Sequence, residues 1–459
     1  MSKKVGKQLC LFNVSNLTNN SNHNITQISD NNYLHIEGDI PLELSNNSLI
    51  SLTRNQPLKI HSLGFQPAKS IPEIPRWFLQ KYGKSSFTIL EPFAGSGTTI
   101  IESIVYGASV YWLDSNPLSR LICEVKTTNF DFNEVNKAKD QLINDLEKIT
   151  NVPETINFKN KDFWFQKPVQ EGLEILRFLI KKINPKLQSI FLLAFSLTVR
   201  KTSDMNDGMI LAAKRSQVQD IPKRTRNDVF YYFKYYLDKT LLAIFEWQNI
   251  LNKYTGFTQQ LTSNLAQNLS GDWCCDAVIS SPPYLNAIDY IWASKFELHW
   301  LGLVKNDQDR LNLYSQEIGT ERIAKTEYQQ LAKTGNKVLD QILEDIYTCK
   351  KYQAGKGQNQ LRSRVVYKYF IEMKEHFSQV FNHLNSGGYY CFAIGDVNKI
   401  CGVEIPVASL LTHFASQLGF TKIFQFNLLL KNRKLNLPRN VDFAGTIKHD
   451  SIIVLQKNK

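Results

Sequence analysis

The run FTIL at positions 87–90 is followed by a glycine-rich turn, EPFAGSG, then by TTIIESIVYG with apolar residues on a helical period, then by SVYWLD. Strand, turn, helix and strand in that order make a βαβ unit and predict a parallel, doubly wound sheet. Val135, Ala138, Leu142, Leu146 and Ile149 fall at helical spacing, and helical segments run on to about residue 255, interrupted by a basic stretch from Arg200 to Asp228. Strand character returns at Ala277-Val278-Ile279, and a helix is predicted from Tyr290 through Leu301, followed by a polar, mostly helical insertion to about Phe370. The rest reads as a helix from Tyr369 to Leu384, an SGG turn, a strand YYCFAIGD and a helix from Val407 to Leu418. Two strands near Lys422–Leu430 and Ser451–Leu455 close the chain as a long antiparallel hairpin at a sheet edge.

These elements divide the chain into four parts. Residues 1–60 form a partly irregular, Asn- and Ser-rich N-terminal arm, and 61–125 carry the βαβ unit. Residues 126–258 are a helical insertion, and 259–459 hold the remaining strands with their own insertion at 303–370. No internal repeat is visible.

Composition narrows the function classes. The chain has 459 residues, 43% of them hydrophobic and 21% charged, which is globular and large enough for a substantial core. Its formal net charge of +12 favours a polyanionic partner, most economically nucleic acid. Seven cysteines without a repeated Cys-x-x-Cys spacing point to a reducing compartment and away from a disulfide framework or a metal site. No basic-then-apolar signal segment is seen, and the longest apolar run, SIFLLAFSLTV from Ser189, is too short to span a bilayer. A cytoplasmic, DNA-associated protein of a prokaryotic cell is the expectation, with no membrane partner.

Chemistry concentrates at two loops. Gly95 and Gly97 lie just past a strand and just before a helix, where absent side chains let a ligand reach backbone N–H groups at a helix N-terminus. The lysine of a phosphate-gripping P-loop is missing, and Ile100 replaces the third glycine of a dinucleotide fingerprint. Asp114 ends the second strand, where a carboxylate can accept from both hydroxyls of a ribose. Together these suggest an adenosine-type cofactor. The second loop is SSPPY at 280–284: two prolines must end the strand before them, leaving carbonyls unpaired between the Ser281 hydroxyl and the flat ring of Tyr284.

On these residues the chain resembles the S-adenosylmethionine-dependent DNA amino-methyltransferases. EPFAGSGTT resembles their cofactor loop, GASVYWLDSNP the following acidic motif, and SPPY their catalytic motif in the form typical of N4-cytosine enzymes. HSLGFQPAKSIPEIP resembles the segment that closes over the methionine end of the cofactor, and LNSGGYYCFAIGD a later helix-turn-strand of the core. The resemblance spans about 61–125 and 260–458. It implies a Rossmann-like, mostly parallel seven-stranded sheet with an antiparallel edge hairpin and helical insertions. It implies S-adenosyl-L-methionine as cofactor, held by Pro67, Lys69, Glu91, Phe93, Gly95, Ser96, Gly97, Thr98, Asp114 and Asn264. Glu91 stands where the family most often has Asp, and Asn264 where it usually has the Asp that meets the adenine amine; both substitutes can still accept a hydrogen bond.

The activity implied is methyl transfer to the N4 amine of a cytosine flipped out of double-stranded DNA, by Ser281, Pro282, Pro283 and Tyr284, without a metal. An N6-adenine enzyme on the same fold, an RNA methyltransferase and a catalytically silent DNA-binding subunit stand as alternatives. A cognate restriction endonuclease is a possible partner. Three basic stretches are candidates for DNA contact: 200–228, 350–368 and 431–439. The first, with Arg200, Lys201, Lys214, Arg215, Arg224 and Arg226, is favoured because it lies between the cofactor motifs and SPPY.

Overall fold

In the computed structural model of the protein, the described residues are 33–459 except 150, 153, 207–208, 215–220, 286–287, 350–357 and 431–446, together with the backbone of 25–27. Three short strands come first: β1 (Ile25–Gln27), β2 (Leu34–Glu37) and β3 (Leu49–Thr53). The predicted βαβ unit follows α1 (Glu73–Tyr82) as β4 (Thr88–Glu91), α2 (Thr98–Tyr106) and β5 (Ser109–Trp112). α3 (Pro117–Thr127) closes this unit, and the helical insertion carries α4 (Phe132–Lys148), α5 (Lys161–Trp164), α6 (Lys167–Lys181), α7 (Pro185–Thr202) and α8 (Arg226–Leu251).

The chain re-enters the sheet with β6 (Thr258–Gln260) and β7 (Cys275–Ser280). Next come α9 (Tyr290–Ala293), α10 (Lys295–Trp300), α11 (Asp307–Asn312), α12 (Lys337–Thr348) and α13 (Gln358–His383). The chain ends with β8 (Leu384–Gly395), the small hairpin β9 (Asn398–Ile400) and β10 (Val403–Ile405), α14 (Val407–Gln417), β11 (Phe420–Leu429) and β12 (His449–Lys457).

One sheet runs β1-β2-β3-β11-β12-β8-β7-β4-β5-β6. From β6 to β8 every neighbouring pair is parallel, and β12 is antiparallel to both β8 and β11. The mixed α/β architecture with a large, mostly parallel sheet is therefore as expected. The strand count is not: the sheet has ten strands rather than seven. The β11–β12 hairpin is also not at an edge, because β3 pairs in parallel with β11 through Asn427↔Leu49 and Leu428↔Ile50. The N-terminal arm thus covers an edge that would otherwise present unpaired backbone groups. The SGG turn lies within β8, at a register shift that sets Leu384 opposite Cys275 and Tyr389 opposite Ala277.

Alternation along the central strands packs both faces. Ile89, Ala277 and Ile279 face Trp77 and Phe78 of α1. Leu90, Val278 and Tyr390 face the other way, among Phe377 of α13 and Leu411 of α14. The helical insertion is built around its own apolar cluster, which includes Leu173, Phe191, Phe233 and Trp300 and is continuous with Ile101 and Val110 of the βαβ unit. Thr225 and Asp228 cap α8 reciprocally, which fixes where the basic stretch ends and the helix begins. Among the described residues, no helix is long and apolar enough to cross a membrane.

Candidate functional site: the cleft at the ends of β4 and β7

β4 and β7 lie side by side in parallel, with Leu90 opposite Val278, so the glycine turn and the Pro-Pro loop leave the sheet at the same edge. Strand order reverses at this point, β5 lying on one side and β8 on the other, and such a crevice is where open α/β sheets bind ligands. The two loops are bonded to each other. Ser280 Oγ donates to Glu91 Oε1 at 2.6 Å, and the same oxygen accepts from Phe93 N at 3.0 Å. Glu91 is only 3% exposed, and burial pushes its carboxyl up to about 7 against the pull of these donors.

The glycine turn is shaped by left-handed backbone at Gly95 (φ 50°) and Gly97 (φ 75°), which side chains rarely adopt. Asp114 binds its far side: Oδ2 accepts from Gly95 N and Oδ1 from Asn116 N, each at 2.7 Å. With Ser119 also bonded to this carboxylate, capacity for a ligand hydroxyl still remains on it. Lys126 of α3, 1% exposed, donates from below to the Ser96 carbonyl at 2.7 Å, and burial lowers it to about 7.

The segment holding Pro67 and Lys69 leans on the turn through Thr98 Oγ1 to Ser70 O (3.3 Å) and Ser119 Oγ to Gln66 Oε1 (3.4 Å). Lys69 Nζ donates to Gly64 O at 3.0 Å, and desolvation lowers it to about 8. His61, which precedes this segment, belongs to a buried ion network with Glu102, Arg76 and Asp39.

Phe93 packs edge-on against His376, which holds Ala266 O with one ring nitrogen and Tyr390 Oη with the other. Burial brings His376 down to about 4, so the ring is neutral. The contact to Ala266 fixes the loop that carries Asn264. Asn264 Oδ1 is buried without a hydrogen-bond partner among the described residues. An orphaned acceptor costs free energy unless a donor arrives, and an adenine amine is such a donor. With the glycine turn and Asp114, the residues present therefore fit an adenosine-type ligand.

In the second loop the Tyr369 hydroxyl donates to Pro283 O at 3.1 Å, which pins the backbone. Among the described residues nothing engages the Ser281 hydroxyl. A Cβ on Gly395 would meet the Ile447 side chain at 2.8 Å and, less tightly, the Tyr284 ring at 3.3 Å, so this glycine leaves room for both. Beyond the loop, Asp289 caps α9 and accepts from Tyr314 Oη at 3.1 Å. Glu317 is held well above the usual carboxylate range by burial and by the charges of Asp289 and Asp114. Lys126, Tyr369 and Glu317 escaped the sequence reading. Each comes from a helix or loop remote in sequence, and a lone Lys, Tyr or Glu carries no local signal.

The favoured basic stretch is corrected in part. Arg200 stacks on Phe65 with its guanidinium 3.4 Å from the ring centroid, donates to Ala293 O and Ile210 O, and pairs with the buried Glu297. Arg224, 8% exposed, donates to Thr202 O and Ser203 O. Both guanidinium groups are committed inside the protein, so neither offers a phosphate contact. Lys214 donates to Phe163 O, Lys201 lies by the Tyr232 ring, and Arg226 opens α8. Arg215 and all of 431–439 lie outside the described residues, as does 350–357 of the second stretch.

No family model matches the chain. It is similar over most of its length to proteins named type II methyltransferases. The identity is 22% with M.MvaI of Kocuria varians, over 90% of this chain and 94% of that one. It is 25% with M.BsoBI of Geobacillus stearothermophilus, over 93% and 90%, and 23% with M.AvaI of Anabaena variabilis, over 78% and 81%.

Proposed function

We propose that the chain is a sequence-specific DNA methyltransferase that moves a methyl group from S-adenosyl-L-methionine to the N4 amine of cytosine in double-stranded DNA. One observation carries this reading: a glycine turn with an acidic partner and a Ser-Pro-Pro-Tyr loop share one crevice, tied together by the Ser280–Glu91 bond. The similarity to type II methyltransferases along both halves of the chain supports it. It also supports a cognate restriction endonuclease as the partner activity.

Gly95 to Thr98, Asp114, Asn264 and the Pro67–Lys69 segment would hold the cofactor, which when bound supplies an electrophilic methyl group on sulfur. The chain's own task is to prepare the amine. An exocyclic amine on cytosine is a poor nucleophile because its lone pair is delocalised into the ring. Ser281 Oγ and the Pro282 carbonyl accept its two N–H bonds, localise the lone pair and aim it along the line of displacement. The Pro283 carbonyl is already taken by Tyr369, so its role is to keep the clamp rigid. Tyr284 offers a face on which the flipped base stacks. Ser281 is too weak a base to deprotonate the amine beforehand, so its role is orientation, and the proton leaves for water only after transfer, when the nitrogen is cationic and acidic.

The clamp presents acceptors only and suits the amine of cytosine or adenine; cytosine is favoured by the Ser form of the motif. Expressed in a host without DNA methylation of its own, the protein should leave 4-methylcytosine at one short recurring site, read by mass spectrometry of digested nucleosides. Finding only 6-methyladenine would overturn the target base. Finding neither, with purified protein and cofactor supplied, would overturn the activity.

A further inference from the structure

A second recess lies outside the cleft, between residues 158–164 and the α9–α11 segment. Its walls are Phe158, Trp164, Trp292 and Phe296, and its volume is near 60 Å³. That is room for about four waters at ~10–15 Å³ each, the bulk of one tetrahedral oxyanion.

Lys295 points into it. The ammonium sits 3.6 Å from the Trp292 ring centroid, 4.0 Å from Trp164 and 4.9 Å from Phe296, and the residue is 7% exposed. Among the described residues it has no hydrogen-bond or ion-pair partner. Arg310, 9% exposed, reaches Asp307 Oδ1 with Nη2 at 3.3 Å, but its buried Nη1 has no hydrogen-bond partner among the described residues.

Among the described residues Asp307 is the sole carboxylate lining the recess, and it is already shared. It accepts from Lys159 N at 2.9 Å with Oδ2, and its Oδ1 serves both Arg310 and His299. His299 lies flat on Phe158 and is kept below its ordinary pKa chiefly by burial. Lys295 is lowered to about 7, first by burial and then by Arg310. Two basic groups therefore face one recess, whose carboxylate, Asp307, serves Arg310 and His299 and not Lys295. Ring faces offset part of the cost of burying them, but an orphaned guanidinium N–H is expensive to leave so.

We propose that this recess is a phosphate-binding site, in which one phosphate-class oxyanion bridges Lys295 Nζ and Arg310 Nη1. Against two cations and the one carboxylate of Asp307 a single negative charge closes the balance, and the several oxygens of a phosphate group supply acceptors for an ammonium and a guanidinium edge at once, which a halide cannot. The phosphate can come from solution or from a nucleic-acid strand. The site lies close to the cleft in the chain: α10 follows Ser294, whose hydroxyl accepts from Asn116, two residues beyond Asp114.

The test is a titration of the full-length protein with inorganic phosphate at constant ionic strength, followed by calorimetry and by the fluorescence of Trp164 and Trp292. Saturable binding is expected, weakened at least tenfold in Lys295→Met and in Arg310→Gln and retained in Lys295→Arg, with thermal melts confirming that each variant folds. A duplex oligonucleotide that displaces the phosphate would assign the site to a strand phosphate, and simultaneous binding would assign it to a free one. A response that never saturates, or that is the same in Lys295→Met and Arg310→Gln as in the parent, would overturn the proposal. None of these readouts depends on methyl transfer.

Discussion

Replacing Glu91 by Gln should flatten part of the pH dependence of stability, and the size of the change follows from the burial of that carboxyl. Glu91 is held at about 7 against an ordinary 4.5, with desolvation the largest cause. Between those two values the folded chain keeps a proton that the unfolded chain has released. Stability must therefore fall as pH rises from about 4.5 to about 7 and level off above. At ~1.36 kcal/mol per unit the loss is about 3 kcal/mol. The Gln side-chain oxygen can still accept from Phe93 N and Ser280 Oγ but cannot ionise. Denaturation by urea at pH 5 and pH 7.5 should thus show the variant gaining about 2 kcal/mol on the parent between the two conditions, because part of the loss is already complete at pH 5. Parallel pH profiles for parent and Glu91→Gln would refute the reasoning. They would mean that the Ser280 and Phe93 bonds hold the carboxylate charged despite its burial.

Three other outcomes are expected. Ser281→Ala should retain S-adenosylmethionine binding by calorimetry and lose on the order of a hundredfold or more in turnover, since it removes one preorganised acceptor and leaves the Tyr369–Pro283 bond in place. Gly95→Val should abolish cofactor binding without unfolding the sheet, because the left-handed backbone (φ 50°) cannot persist with a β-branched side chain and the turn must rearrange. Arg200→Met should destabilise the protein by about 3–5 kcal/mol in thermal or urea denaturation, by leaving Glu297 buried without its partner, while the salt dependence of DNA binding stays that of the parent.

The cleft was legible because its chemistry is written in local patterns. A strand that must end at two prolines, and a turn that only glycine can make, announce themselves within a few residues, and two parallel strands ending in such loops have little choice but to share an edge. Asn264 was legible only through the resemblance; its unpaired oxygen gives that assignment a physical basis. The ten-strand sheet was not legible. β2 and β3 are four and five residues long, set among asparagines and serines; β3 is a strand because it meets the open edge of β11, about 380 residues away in the chain, and β2 because it pairs with β3.

Charge was the least legible property, and Arg200 shows why. In the sequence it is one of several cations in a basic run, and a net charge of +12 invites a role on DNA. In the fold it is the clasp between the end of α7, Phe65 in the segment that leans on the glycine turn, and the carboxylate of Glu297 in α10. That carboxylate gives no hint of burial in the sequence, since its neighbours Phe296 and Leu298 suit a half-exposed helix equally well. Lys295 is the converse case, a lysine that composition assigns to the surface and the fold encloses among three aromatic rings without a carboxylate partner. What separates the two is the count of counter-charges within reach, a property of three-dimensional neighbours that no periodicity encodes. A cation matched inside the fold is structural, whereas one left unmatched is pushed toward its neutral form, as burial does to Lys295.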